Sequence, residues 1–249
     1  MTDTAPNKWY DFVPNMLTLF NLICGIIAIY FAFIDELQIA LLLMLTGGLF
    51  DFFDGFAARM LKVSGELGKQ LDSLADLITF GLLPAVMIFS IQRQLILANN
   101  HGFEQLSILQ WLFLVSPLLI PVFSALRLAN FNIDTRQTTS FIGVPTPANA
   151  FFMASLAWTI SYGNNTIAGW LANPLLIAAI TLLFSLLLVS NLPLFALKFK
   201  SFKWNGNEIR FVFLAISLVV LLFFTISGLM AVILLYILFS AFTHYVQRK

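Results

Sequence analysis

Asp51-Phe52-Phe53-Asp54-Gly55-Phe56-Ala57-Ala58-Arg59, then eight residues, then Gly68-Lys69-Gln70-Leu71-Asp72-Ser73-Leu74-Ala75-Asp76, sets four carboxylates in an apolar neighbourhood. Residues three or four apart lie on one face of a helix. Asp51 and Asp54 therefore share a face of one helix, and Asp72 and Asp76 a face of the next. The short connection over 61–70 predicts that the two helices are antiparallel neighbours, so that all four side chains converge. Four carboxylates cannot stand together unneutralised at neutral pH. Hard divalent cations with oxygen ligands, Mg²⁺ or Mn²⁺, are the simplest answer. Two such ions about 3.5–4 Å apart form a clamp suited to phosphoryl-type displacement. Gly55 lets a phosphate or another helix come close, and Gly68 can open the connection into the second helix. Arg59 is placed to hold a phosphate or to pair with a carboxylate.

The surroundings of this stretch define the fold class. The 249 residues are 60% hydrophobic and only 10% charged, with a mean hydropathy of +0.92. Soluble domains carry about 25% charged residues. The chain reads as an all-α polytopic bundle in a lipid bilayer, a single membrane domain over 1–249. At about 20 apolar residues per crossing, eight spans are expected: 13–34, 38–60, 71–92, 107–131, 145–162, 174–197, 209–226 and 229–246. The turn between the last two falls at Ser227-Gly228.

Lys and Arg orient the bundle. Lys8, Arg59, Lys62, Lys69, Arg127, Arg136, Lys198, Lys200, Lys203, Arg210, Arg248 and Lys249 fall on one side, and Arg93 alone on the other. By the positive-inside rule the first side, with both termini, is cytoplasmic. The four aspartates then sit at the cytoplasmic face of a cell membrane. No basic-aromatic pattern suggests nucleic acid, and the single cysteine, Cys24, excludes an intrachain disulfide. Transporters usually carry intramembrane carboxylates near the bilayer midplane on broken helices, with repeat symmetry. Here the carboxylates cluster at one interface and no repeat is visible.

The pattern Asp-x-x-Asp-Gly-x-x-Ala-Arg-x₈-Gly-x-x-x-Asp-x-x-x-Asp resembles the signature of the CDP-alcohol phosphatidyltransferases, with every fixed position filled. The likeness extends over roughly the first 150 residues. It implies that the hydroxyl of a small alcohol attacks the lipid-bound phosphorus of a CDP-linked lipid and that CMP leaves. It further implies that Asp51, Asp54 and Asp72 ligate a first metal. Asp76 would complete a second site and take the proton of the attacking hydroxyl. Gly55, Ala58 and Arg59, with Gly68, would line the cytidine-diphosphate pocket. The run Pro14-Asn15-Met16-Leu17-Thr18-Leu19-Phe20-Asn21 resembles the family's first helix, which implies nucleotide-side roles for Asn15, Thr18 and Asn21. The likeness also implies a homodimer, a catalytic core over 1–162, and additional C-terminal membrane helices over 174–249.

Three segments are similar to the serine-accepting branch of that family: Asp72–Asp76 with Phe80-Gly81 and Pro84-Ala85, Arg127–Asn132, and Phe141–Ala148. Two positions depart from the branch, Asn130 where Arg is expected and Thr79 where Ser is expected. The implied substrates are CDP-diacylglycerol and L-serine. L-Serine needs a cation for its carboxylate and acceptors for its ammonium. Arg127 and Arg136 offer the cation, and Ser73, Asn130 and Asn132 a polar cup. Glycerol phosphate and inositol phosphate are anionic too, so an arginine pair does not by itself select serine. An archaeal-type lipid donor is also compatible.

Overall fold

The computed structural model describes residues 12–63, 65–98, 102–133, 141–163, 165–194 and 207–247. Helices account for nearly all of them, with one two-residue strand pair. Arg136, Lys198, Lys200 and Lys203 lie outside the described residues.

Helix α1 (Val13–Phe33) carries Pro14 in its first turn, where the missing N–H goes unneeded. It buries Thr18, Asn21, Gly25, Ala28 and Ala32 at helical spacing, a stripe of small side chains against α2 (Leu37–Leu61). Small residues let two backbones close together where lipid offers no hydrophobic drive. A Cβ on Gly25 would stand 2.3 Å from Thr79 Oγ1, so a third helix crosses at the same level. Helix α2 ends with Lys62 in the left-handed region (φ 56°) and Val63 N donating to Ala58 O at 3.0 Å. That C-terminal turn satisfies two carbonyls and reverses the chain.

The third span differs from its sequence reading. Its helix starts at Glu66, runs as α3 (Glu66–Asp76), passes through a π-helical turn over Leu77–Leu82, and continues as α4 (Leu83–Leu97). Helix α3 packs on α1 rather than alongside α2, so a cleft opens between α2 and α3 with α1 as its floor. The α3–α4 span is the central one: 67% of its apolar window is buried. The fourth span likewise has two parts, α5 (Ile108–Val115) and α6 (Leu119–Ile133), joined by a 3₁₀ turn at Ser116–Leu118 that contains Pro117.

Helix α7 (Thr146–Tyr162) is followed by the short α8 (Asn165–Leu171) and by α9 (Pro174–Leu188). The sixth span was expected to reach 197, but its helix stops at Leu188. Beyond it, Pro193 has no N–H for a helical bond, and β2 (Pro193–Leu194) pairs antiparallel with β1 (Phe141–Ile142). Gly143 N to Leu192 O (2.9 Å) and Val144 N to Leu187 O (3.0 Å) complete the clasp.

Among the described residues, five stretches are long and apolar enough to cross a membrane: Val13–Phe33, Leu37–Leu61, Glu66–Leu97, Ile108–Ile133 and Glu208–Ala241. The last is broken at Thr225–Ser227, where Thr225 has φ 50°, into α10 (Glu208–Phe224) and α11 (Gly228–Gln247). The Phe213 ring lies 5.8 Å from Tyr236 and 6.2 Å from Phe239. A continuous helix would hold Phe213 and Tyr236 about 35 Å apart. The two helices therefore fold back as a hairpin. On the opposite side from the aspartates, Arg93 pairs with Asp35 at 2.7 Å.

Candidate active site

Three carboxylates come together. Oxygens of Asp51, on α2, and of Asp72 and Asp76, on α3, all lie within 4.8 Å of one another. Asp76 Oδ1 is sealed from solvent with no hydrogen-bond partner among the described residues. Carboxylates this close repel unless a proton or a cation lies among them. The donor set, all oxygen and all anionic, suits a hard divalent ion.

Asp54 stands one turn beyond Asp51. It is buried, and its Oδ2 accepts a 2.6 Å bond from Thr18 Oγ1. Thr18 Oγ1 also donates toward Pro14 O at 3.1 Å. Helix α1 thus fixes the orientation of this carboxylate, a link that spacing along α2 could not reveal. Asp54 and Asp72 face each other across the cleft between α2 and α3, about 360 Å³ in volume.

Asn15, Thr18, Gly55, Ala58 and Gly68 line this cleft. A Cβ on Gly68 would come within 3.0 Å of Asn15 Oδ1, so the entry to α3 passes close over α1. Arg59 is exposed, its Nη1 3.4 Å from where a Gly55 Cβ would be. Asn21 lies one turn deeper than Thr18, fully buried, its carbonyl accepting from Thr79 Oγ1 at 3.2 Å. It packs α1 against the π-helical turn, away from the cleft lining.

The residues read from sequence as an acceptor cup divide into two groups. Ser73 and Asn132 meet, Asn132 Nδ2 donating to Ser73 Oγ at 2.8 Å while Ser73 Oγ points to Lys69 O at 3.2 Å. Their polar atoms bond one another and brace α6 against α3. Asn130 is exposed. Arg127 is buried at 8% exposure, its Nη1 donating to Thr146 Oγ1 at 3.4 Å, and it lies within electrostatic reach of Asp76. It is the one cation on α6. Thr146, which steadies it, carried no sequence signal beyond its place in the 141–148 segment.

A second opening reaches the cluster from the apolar side. Leu45, Gly48, Leu49, Phe80, Pro147 and Phe151 line a groove of about 350 Å³ with Asp51 at one end. The two openings flank α2: one holds Asp54, Asp72 and Lys69 and is shared with α1 and α3, the other is apolar and shared with α7.

Comparison with known proteins agrees with this architecture. The family model described as CDP-alcohol phosphatidyltransferase matches residues 11–189, which span α1 to α9. The CDP-diacylglycerol–serine O-phosphatidyltransferase of Bacillus subtilis is 32% identical over 198 residues, covering 80% of this chain and 95% of that protein. The enzyme of the same name from Helicobacter pylori strain 26695 is 30% identical over 217 residues, 86% and 83% of the two chains. The archaetidylserine synthase of Methanothermobacter thermautotrophicus is 33% identical over 159 residues, 63% and 62% of the two chains. With its signature complete and its family match running from α1 to α9, the chain belongs to the CDP-alcohol phosphatidyltransferase family.

Proposed function

We propose that this protein transfers the phosphatidyl group of CDP-diacylglycerol to the hydroxyl of L-serine, giving phosphatidylserine and CMP. The observation that carries the reading is the convergence of Asp51, Asp72 and Asp76 beside a cleft that holds Asp54, Asp72 and Lys69 and beside an apolar groove. A CDP-lipid has a part for each: nucleotide and diphosphate in the cleft, an acyl tail in the groove, and the reacting phosphorus between them.

Asp51, Asp54, Asp72 and Asp76 would hold two Mg²⁺ or Mn²⁺ ions. When bound, these supply charge neutralisation at the phosphate oxygens. The chain's own residues do the rest. Thr18 keeps Asp54 turned toward the cleft. Asn15, Gly55, Ala58, Arg59 and Gly68 surround the cytidine diphosphate. Asp76 takes the proton of the serine hydroxyl as its oxygen bonds to the lipid-bound phosphorus, and the bond from that phosphorus to the CMP oxygen breaks. A general base must lie within hydrogen-bond reach of the proton it removes. Arg127, buried on α6, supplies the cation for the serine carboxylate, and the names of the bacterial relatives support serine as the acceptor.

The reading includes eight crossings with both termini in the cytoplasm, so that the site opens at the level where soluble serine and membrane-held lipid meet. The turn at Thr225–Ser227 supports the even count. A homodimer, implied by the family likeness, belongs to the same reading and is checked by cross-linking in membranes.

The test is CMP release by the purified chain from CDP-diacylglycerol with Mn²⁺, run in parallel with serine, glycerol phosphate, inositol phosphate and water. Serine-dependent release that EDTA abolishes is the expected result. Release with another alcohol alone would move the error to the acceptor side at Arg127. No release with any acceptor would overturn the reading.

A further inference from the structure

In the sequence Lys69 is one of twelve basic residues on the side expected to be cytoplasmic. Its position is more specific. It lies one residue past Gly68 and lines the cleft shared with Asn15, Thr18, Asp54 and Asp72. Among the described residues lining that cleft it is the one cation. Its ammonium donates to the backbone carbonyl of Asn132, in the last turn of α6. A lysine serving only to cap α6 would satisfy that carbonyl from any side. This one does so from a residue that also lines the cleft. An ammonium has three donors, and one bond is its full complement among the described residues.

Two donors are thus left for an anion in the cleft. A diphosphate entering between Asp54 and Asp72 meets negative charge from the wall, which resident cations offset in part. The α3 side of the wall needs a positive group of its own, and Lys69 is the side chain there. We propose that Lys69 binds the diphosphate of the CDP-linked donor while keeping its bond to Asn132. It thereby ties the filled donor cleft to α6, the helix that carries Arg127. This rests on the function proposed above. By reciprocity, a donor held this way tightens acceptor binding, and the acceptor tightens donor binding by the same factor.

The experiment measures binding of CDP and of cytidine, with Mn²⁺ present, to the purified full chain and to Lys69→Met, Lys69→Gln and Lys69→Arg, with melting temperatures in the same samples. Lys69→Gln keeps an amide donor for the Asn132 carbonyl but removes the charge. Lys69→Met and Lys69→Gln should weaken CDP binding about tenfold, the loss of one charge-assisted contact. Cytidine binding should be unchanged in both, and Lys69→Arg should restore most of the CDP affinity. In turnover, donor binding should lower the KM for serine in the native chain but not in Lys69→Gln. If Lys69→Gln binds CDP as tightly as the native chain, Lys69 is a cap for α6 alone and the proposal fails. Because CDP binding needs no acceptor, a chain that transfers to no alcohol would still decide this point.

Discussion

Each aspartate of the site depends on its neighbours. Asp51, Asp72 and Asp76 share one small volume, and Asp54 is held by Thr18. Groups that act as one unit lose their effect together, so single and combined losses cost about the same. Asp51→Asn, Asp54→Asn, Asp72→Asn and Asp76→Asn should each lower kcat by about 10³-fold or more, and any pair by little beyond that. Initial rates of CMP release at saturating Mn²⁺ check this. Near-normal turnover in one variant would remove that residue from the set. Thr18→Val keeps the side chain's shape but deletes the 2.6 Å bond to Asp54. A hydrogen bond to a charged group contributes about 1.5–3 kcal/mol. The variant should therefore bind Mn²⁺ roughly ten- to a hundredfold more weakly, read as a rise in the Mn²⁺ concentration for half-maximal rate.

At the scale of elements, α2 separates two kinds of opening. Gly48 faces the apolar one, and a Cβ there would meet only the rings of Phe151 and Phe80 at 3.6 Å, an ordinary contact. The rest of a leucine would extend into the groove. Gly48→Leu should fold normally, raise the KM for a long-chain CDP-diacylglycerol about tenfold, and leave a short-chain donor nearly unaffected. The estimate follows from displacing a few buried methylenes at ~0.8 kcal/mol each. Equal effects on both donors would show that no acyl chain lies there. Further from the site, Ser155 on α7 receives Met230 N at 3.1 Å and donates to Ile226 O at 2.8 Å, docking the tip of the α10–α11 hairpin. Ser155→Ala should destabilise the fold by ~1–2 kcal/mol, seen as a lower melting temperature, with kcat unchanged.

For the whole molecule, legibility followed how local the cause is. The carboxylate motif was readable because chemistry constrains both residue types and spacing, and the apolar runs were readable because a bilayer demands length. The cleft between α2 and α3 was not, because α1 decides it by packing against both. The end of α9 was misread by nine residues, from 197 to 188, because strand pairing with 141–142 is a long-range event. Ser73 and Asn132 stood out as polar, yet nothing local says that they bond each other. Lys69 is one basic residue among many in the sequence, and its bond to Asn132 is likewise a long-range outcome. The π-helical turn over Leu77–Leu82 was hidden in an unremarkable apolar run, and such turns commonly represent one extra residue accommodated inside an α-helix. That gives the chain an unequal tolerance to indels. Removing one residue within 77–82 would let the turn relax to an α-helix while Asp72 and Asp76 keep nearly the same heading relative to α4, since the wider turn had already absorbed the extra residue. Removing one residue from the regular start of α4 would instead turn the carboxylates by about 100° relative to the rest of that helix. Both variants should insert and melt cooperatively, yet only the first should still release CMP, because the turn is the one place on this span where the count of residues can change and leave the carboxylates aimed at Asp51.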